Sequence, residues 1–168
     1  MPQPSGRDKS VDINLDRGMS NEKCIPYEAT HHIRDSCLCL HVQRAARSLA
    51  RRFDEAFRSL ELTNGQFSLL TSLNRPTPPT LSAVANLLAM DRTTLTAALK
   101  PLERRGLVKI RVGKEDKRSR LLLLTKAGKA LLVKALPIWE REHAAVVREL
   151  KRSTDALRAD LLTLGWAA

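Results

Sequence analysis

The chain has 168 residues, 43% hydrophobic and 28% charged, the size and balance of one globular domain with a packed core. Its 29 Lys and Arg against 18 Asp and Glu leave a formal charge of +11, which favours an anionic partner. Aromatics at 4% exclude a base-stacking RNA-binding sheet, three cysteines exclude a disulfide scaffold, and the lack of a long apolar run or apolar leader points to a cytoplasmic protein with no membrane partner.

Residues 1–30 are rich in Pro, Gly, Ser, Asn and Asp and show no sustained period, so a mobile arm is expected there. From Ile33 the apolar residues Leu38, Val42, Ala45, Leu49, Phe53, Ala56 and Leu60 recur at steps of three and four. That spacing predicts one helix of about 28 residues, long enough to need a partner along its length. Thr63 and Gln66 have the spacing of a capping box for a helix over 64–73, which the Pro-rich stretch from Arg75 to Thr80 stops.

Leu81, Val84, Ala85, Leu87 and Leu88 mark a short helix ending near Ala89. Asp91 is placed to cap a second helix over 92–105, bent by Pro101 and closed by Gly106. Two short helices across so tight a turn, the second basic at its start, form a helix-turn-helix. After Gly106 the period becomes two: Val108, Ile110 and Val112 alternate with Lys109 and Arg111. A charged turn over 113–118 then leads into a returning strand over 120–124. A further long helix is expected from Thr125 to about Lys151, its stripe running from Leu131 through Leu136 and Trp139 to Leu150, with a bend at Pro137. Ser153 introduces a last helix over 154–164. The expected fold is mainly α with a small β wing (α+β), a winged helix-turn-helix. It divides into the arm (1–30), the first helix (31–62), the DNA-binding lobe (63–125) and the C-terminal helices (126–168).

The charge is concentrated in that lobe. Residues 91–120 hold ten basic and four acidic groups, more than half of the net charge in under a fifth of the chain. A membrane-surface protein would gather it on one amphipathic helix. Sharing between a helix and a hairpin suits a nucleic-acid groove.

Five stretches in this order, Leu62-Thr-Asn-Gly-Gln-Phe67, Met90-Asp-Arg-Thr-Thr-Leu95, Leu102-Glu-Arg-Arg-Gly-Leu-Val108, Asp116-Lys-Arg-Ser119 and Thr125-Lys-Ala-Gly128, resemble the multiple-antibiotic-resistance-regulator (MarR) family of bacterial transcription factors. The resemblance covers roughly Ile33 to Leu164. It implies an obligate two-fold homodimer in which the long first helix and the last two helices interlock. It also implies an effector cleft between the dimer helices and the DNA-binding lobe, taking phenolic or aromatic carboxylate compounds.

A recognition helix presents its first turns to the major groove, which puts Arg92, Thr93, Thr94, Thr96 and Lys100 within reach of duplex DNA. Arg118 at the wing tip suits the narrow, negative minor groove of A/T-rich DNA, the role the resemblance also implies. Asp116 is expected to orient that guanidinium by a salt bridge, while Lys114, Lys117, Arg120, Thr80 and Ser82 meet phosphates. Binding as a dimer to a near-palindromic operator would repress by occlusion.

Two release triggers are candidates. His41, Arg44 and Arg47 on the first helix are placed to meet an anionic effector. Cys37 and Cys39 resemble in position the first-helix cysteine of the organic-hydroperoxide-sensing branch, with Cys24 in the arm as a further thiol. On a continuous helix Cys37 and Cys39 point about 200° apart and cannot bond to each other. His31, His32, Cys24 and Cys37 are metal-ligand types, but His143 has no partner four residues away, and neither a metal nor a cofactor is expected. No Gly-rich phosphate loop or nucleophile elbow supports an enzyme. The remaining alternative is a sequence-neutral architectural DNA-binding protein, whose affinity would follow only the phosphates neutralised.

Overall fold

The computed structural model describes residues 24–113 and 116–165. They fall into two compact units, one ending at His41 and the other starting at Val42. The first unit contains α1 (Tyr27–Ser36), which leads into the opening residues of α2 (Leu38–Ala56). The expected single helix from Ile33 is therefore two helices. Cys37 stands between them in an extended conformation (φ −71°, ψ 106°), although its N–H still reaches the Ile33 carbonyl at 2.9 Å. Ser36 Oγ bonds back to the His32 carbonyl at 2.5 Å, a local competitor for the helical ladder. Pro26 precedes α1 and its carbonyl accepts the Ala29 N–H, so helix begins within the last residues assigned to the arm. The rest of that arm, residues 1–23, lies outside the described residues.

In the second unit α2 ends at Ala56, before the expected Leu60, and a 3-10 turn over Arg58–Leu60 follows. Glu61 then adopts φ 50° and turns the chain into α3 (Asn64–Ser72). The Thr63 and Gln66 capping box is formed in both directions, at 3.2 Å each way. α4 (Leu81–Leu87) is capped by the Thr80 hydroxyl and α5 (Arg92–Arg104) by Asp91. Gly106, at φ 68°, closes α5 in the left-handed conformation for which glycine is suited. β1 (Val108–Val112) pairs antiparallel with β2 (Arg120–Leu124), Val108 facing Leu124 and Val112 facing Arg120. Thr80 adds an isolated bridge to Leu121, and the Leu122 N–H bonds the Pro79 carbonyl at 2.9 Å. α6 (Lys126–Glu149) and α7 (Thr154–Gly165) complete the chain.

The core gathers where these elements meet. Leu95, Leu99 and Leu102 on the inner face of α5 are fully buried with Phe57, Leu70, Val84, Val108 and Leu122. The Phe57 and Phe67 rings meet at a tilt of 32° with centroids 4.8 Å apart, which seats α3 against the end of α2. Burying one face of α5 aims the other, with Arg92, Thr93, Thr96 and Lys100, at solvent. Apolar surface is left uncovered elsewhere: Val133 and Leu136 on α6 and Leu161, Leu162 and Leu164 on α7 are all exposed. No helix among the described residues is long and apolar enough to cross a membrane.

Candidate nucleic-acid interface

The start of α5 is held by two bonds that Thr94 donates to its cap. Asp91 Oδ1 accepts the Thr94 N–H at 2.8 Å and its Oδ2 accepts the Thr94 hydroxyl at 2.5 Å. Those bonds, the hydroxyl first, hold the Asp91 carboxyl below the usual carboxylate range. The Thr96 hydroxyl donates to the Arg92 carbonyl at 2.7 Å, and the Arg92 guanidinium donates to Ser82 Oγ on α4 at 2.7 Å. Thr94 and Thr96 thus have their hydroxyl protons engaged within the helix, whereas the Thr93 hydroxyl makes no hydrogen bond among the described residues. Arg92, Thr93, Thr96 and Lys100 line one shallow concavity of about 330 Å³ along the exposed face. Of the two residues expected at phosphates from the α4 side, Ser82 is tied to Arg92, while Thr80 is half-buried as cap and bridge.

The wing tip is set by its main chain. Asp116 Oδ1 accepts the backbone N–H of Arg118 at 2.8 Å, and the Asp116 carbonyl accepts both the N–H and the hydroxyl of Ser119 at 3.0 and 2.8 Å. The Gly113 N–H closes the turn on the Ser119 carbonyl at 3.1 Å. A side chain at Gly113 would begin 2.1 Å from Ser119 Oγ, so the turn needs glycine for space. This corrects the expected salt bridge: Asp116 holds the Arg118 backbone, and the exposed guanidinium forms no ion pair among the described residues. Arg120 donates to the Lys117 carbonyl at 3.1 Å, which turns that cation back along the hairpin. Lys114 lies outside the described residues. Arg105, beside the interface, donates to the Glu61 carbonyl at 2.6 Å.

The candidate effector residues are dispersed in their contacts. In the first unit the His41 ring nitrogen Nε2 lies 3.1 Å from the Asp35 carbonyl oxygen. In the second, Arg47 donates to Gln43 Oε1 at 3.0 Å and Arg44 is exposed. The resemblance implied a cleft between the dimer helices and the DNA-binding lobe, but sequence reasoning assigned to it none of the residues that line the one between α3, α4 and α6. Two adjoining concavities of about 340 and 650 Å³ share Phe67, Thr71, Asn74 and Leu136, and Trp139 walls the larger one. Trp139 also stacks on His143, with centroids 4.7 Å apart. In the sequence Leu136 and Trp139 read only as part of an apolar stripe, a signal that does not separate cleft from core.

None of the three cysteines is in a disulfide; Cys24 and Cys39 are exposed and Cys37 is half-buried. Cys37 lies outside either helix, so the helical geometry that was expected to keep it from Cys39 does not apply. Among the described residues no three His, Cys, Asp or Glu side chains converge as a metal site.

Comparison with known proteins places this arrangement. The sequence model of the MarR family matches residues 62–119, which run from just before α3 to the turn of the wing, ending before β2. The organic hydroperoxide resistance transcriptional regulator of Bacillus subtilis (strain 168) is 31% identical over 101 residues, 60% of this chain and 69% of that protein. The M. tuberculosis transcriptional regulator MosR, solved in complex with DNA, is 37% identical over 77% of this chain and 94% of its own, with a TM-score of 0.71. The transcriptional repressor CouR, solved on a 23-mer DNA duplex, is 29% identical over 80% of this chain and 96% of its own, also at 0.71.

Proposed function

The chain belongs to the MarR family of winged-helix transcriptional regulators, and we propose that it is a repressor that binds a near-palindromic operator as a homodimer. In this reading the α5 face carrying Arg92, Thr93, Thr96 and Lys100 enters the major groove, and Arg118 enters the flanking minor groove. Lys117, Arg120 and Lys114 then neutralise phosphates. One observation carries the reading: the backbone of Arg118 is fixed by Asp116 while its guanidinium stays exposed and unpaired among the described residues. A cation held ready at a rigid hairpin tip loses little freedom on entering a groove. The uncovered leucines of α6 and α7 support a second copy as partner, and a DNA-bound regulator of this kind works in the cytoplasm.

Release is assigned to the cleft between α3, α4 and α6. Its volume suits a small aromatic ligand, and Trp139 offers a stacking face. The name of the B. subtilis relative favours a second trigger, oxidation of Cys37 or Cys39, neither of which is fully buried.

The test is selection of binding sites from fragmented genomic DNA at about 150 mM salt, with reduced wild-type protein beside Arg118→Ala. Recovery of one short palindrome, bound about tenfold or more weakly by the variant, is the expected result. Recovery of no motif, with equal loss on every sequence, overturns the repressor and leaves the architectural binder.

A further inference from the structure

Arg105 ends the recognition helix, yet its side chain does not face the groove. Nη1 donates to the Glu61 carbonyl at 2.6 Å and Nη2 approaches the Leu60 carbonyl at 3.4 Å. Those carbonyls belong to the sharp joint where the α2 segment passes into α3, with Glu61 itself in the left-handed conformation. The joint is otherwise fixed on its inner side by buried Phe57 and Leu62, and Asp54 Oδ1 accepts the Asn64 N–H at 2.6 Å just beyond it. Arg105 thus ties the C-terminal end of α5 to the end of the helix that precedes the whole lobe.

We propose that Arg105 is a positioning residue: by clamping the Leu60 and Glu61 carbonyls it sets the angle at which α5 is presented to DNA. The inference rests on the DNA-binding reading above. A guanidinium presents a planar fork of donors that two neighbouring carbonyls engage together, which an ammonium cannot reproduce. Both bonds go to neutral main-chain oxygens, so no opposite charge is engaged and geometry is what Arg105 supplies. The rival role for an exposed arginine beside a DNA-binding face is a phosphate contact, and the two roles differ in what lysine can replace.

Anisotropy titrations would use the selected operator duplex and a scrambled duplex of equal length at several salt concentrations. Wild type, Arg105→Lys and Arg105→Gln are compared, with melting curves on the same samples. The clamp predicts that both variants stay folded, since the residue is exposed, and lose about tenfold in operator affinity. For Arg105→Lys the affinity for scrambled DNA and the salt slope stay at wild-type values. Operator affinity fully restored in Arg105→Lys overturns the proposal. So does a salt slope in Arg105→Gln smaller by about 0.9, the signature of one lost phosphate contact. A wild type that does not distinguish operator from scrambled duplex overturns the regulator reading itself, a separate outcome.

Discussion

The carbonyl oxygen of Leu107 lies where a side chain on Gly128 would begin: a Cβ there would stand 2.3 Å from that oxygen and 2.6 Å from Leu124 Cδ1. The close approach has a visible cause. The Thr125 N–H bonds the Leu107 carbonyl at 3.1 Å, and the Thr125 hydroxyl donates to the Gly106 carbonyl at 2.8 Å while accepting the Gly128 N–H at 3.0 Å. Thr125 thereby binds the first turn of α6 to the start of β1, and only a hydrogen fits at Gly128. Methyl insertion against backbone has no flexible neighbour to give way, so Gly128→Ala should cost about 1–3 kcal/mol of stability. Gly65 is the internal control, with nothing within 4 Å of its added Cβ and no left-handed backbone. Gly65→Ala should instead gain about 0.5–1 kcal/mol. Urea unfolding of the two variants measures both signs, and equal stability for wild type and Gly128→Ala would mean that α6 is free to slide off β1.

Asp91 carries a pH dependence whose sign is fixed by its bonds. Its carboxyl is held below the usual range by the Thr94 hydroxyl and N–H, so folding favours the charged form. A depressed folded pKa contributes stability that is present above the unfolded value near 3.8 and is lost as pH falls through the folded value. Asp91→Asn keeps a capping oxygen but has no proton to bind. The stability difference between wild type and this variant should therefore be constant above about pH 5 and shift against wild type only in more acidic solution. A difference that changes between pH 6 and 8 would assign the titration to another group.

What was legible in the sequence is what neighbours decide. Thr63 with Gln66, Asp91 with Thr94 and Gly106 after Arg105 act within three or four residues, so their spacing alone located the ends of α3 and α5. The alternation of Val108, Ile110 and Val112 likewise marked the wing strand. The break at Cys37 was not legible, because one extended residue does not disturb the apolar period that runs on through Leu38 and Val42. Nor were the lining residues of the cleft: its walls come from α3, α4 and α6, and Leu136 has the spacing of a core residue while being half exposed. Arg105 and Glu61 are 44 residues apart, and nothing local in either marks the bond between them.

Asp116 offers a sharp test of how the wing is held, because its bond goes to the Arg118 main chain rather than to the guanidinium. An aspartate bonding the N–H two residues on is an Asx turn, and asparagine makes the same turn with the same oxygen. Asp116→Asn should keep the wing conformation and bind an A/T-flanked operator at least as tightly as wild type, since it also removes a negative charge next to phosphates. Asp116→Ala removes the acceptor, frees the turn and should weaken operator binding about three- to tenfold. Affinity measured for both variants on one operator separates the two roles. If asparagine loses as much as alanine, the carboxylate charge is what matters, and Arg118 is oriented through its guanidinium after all.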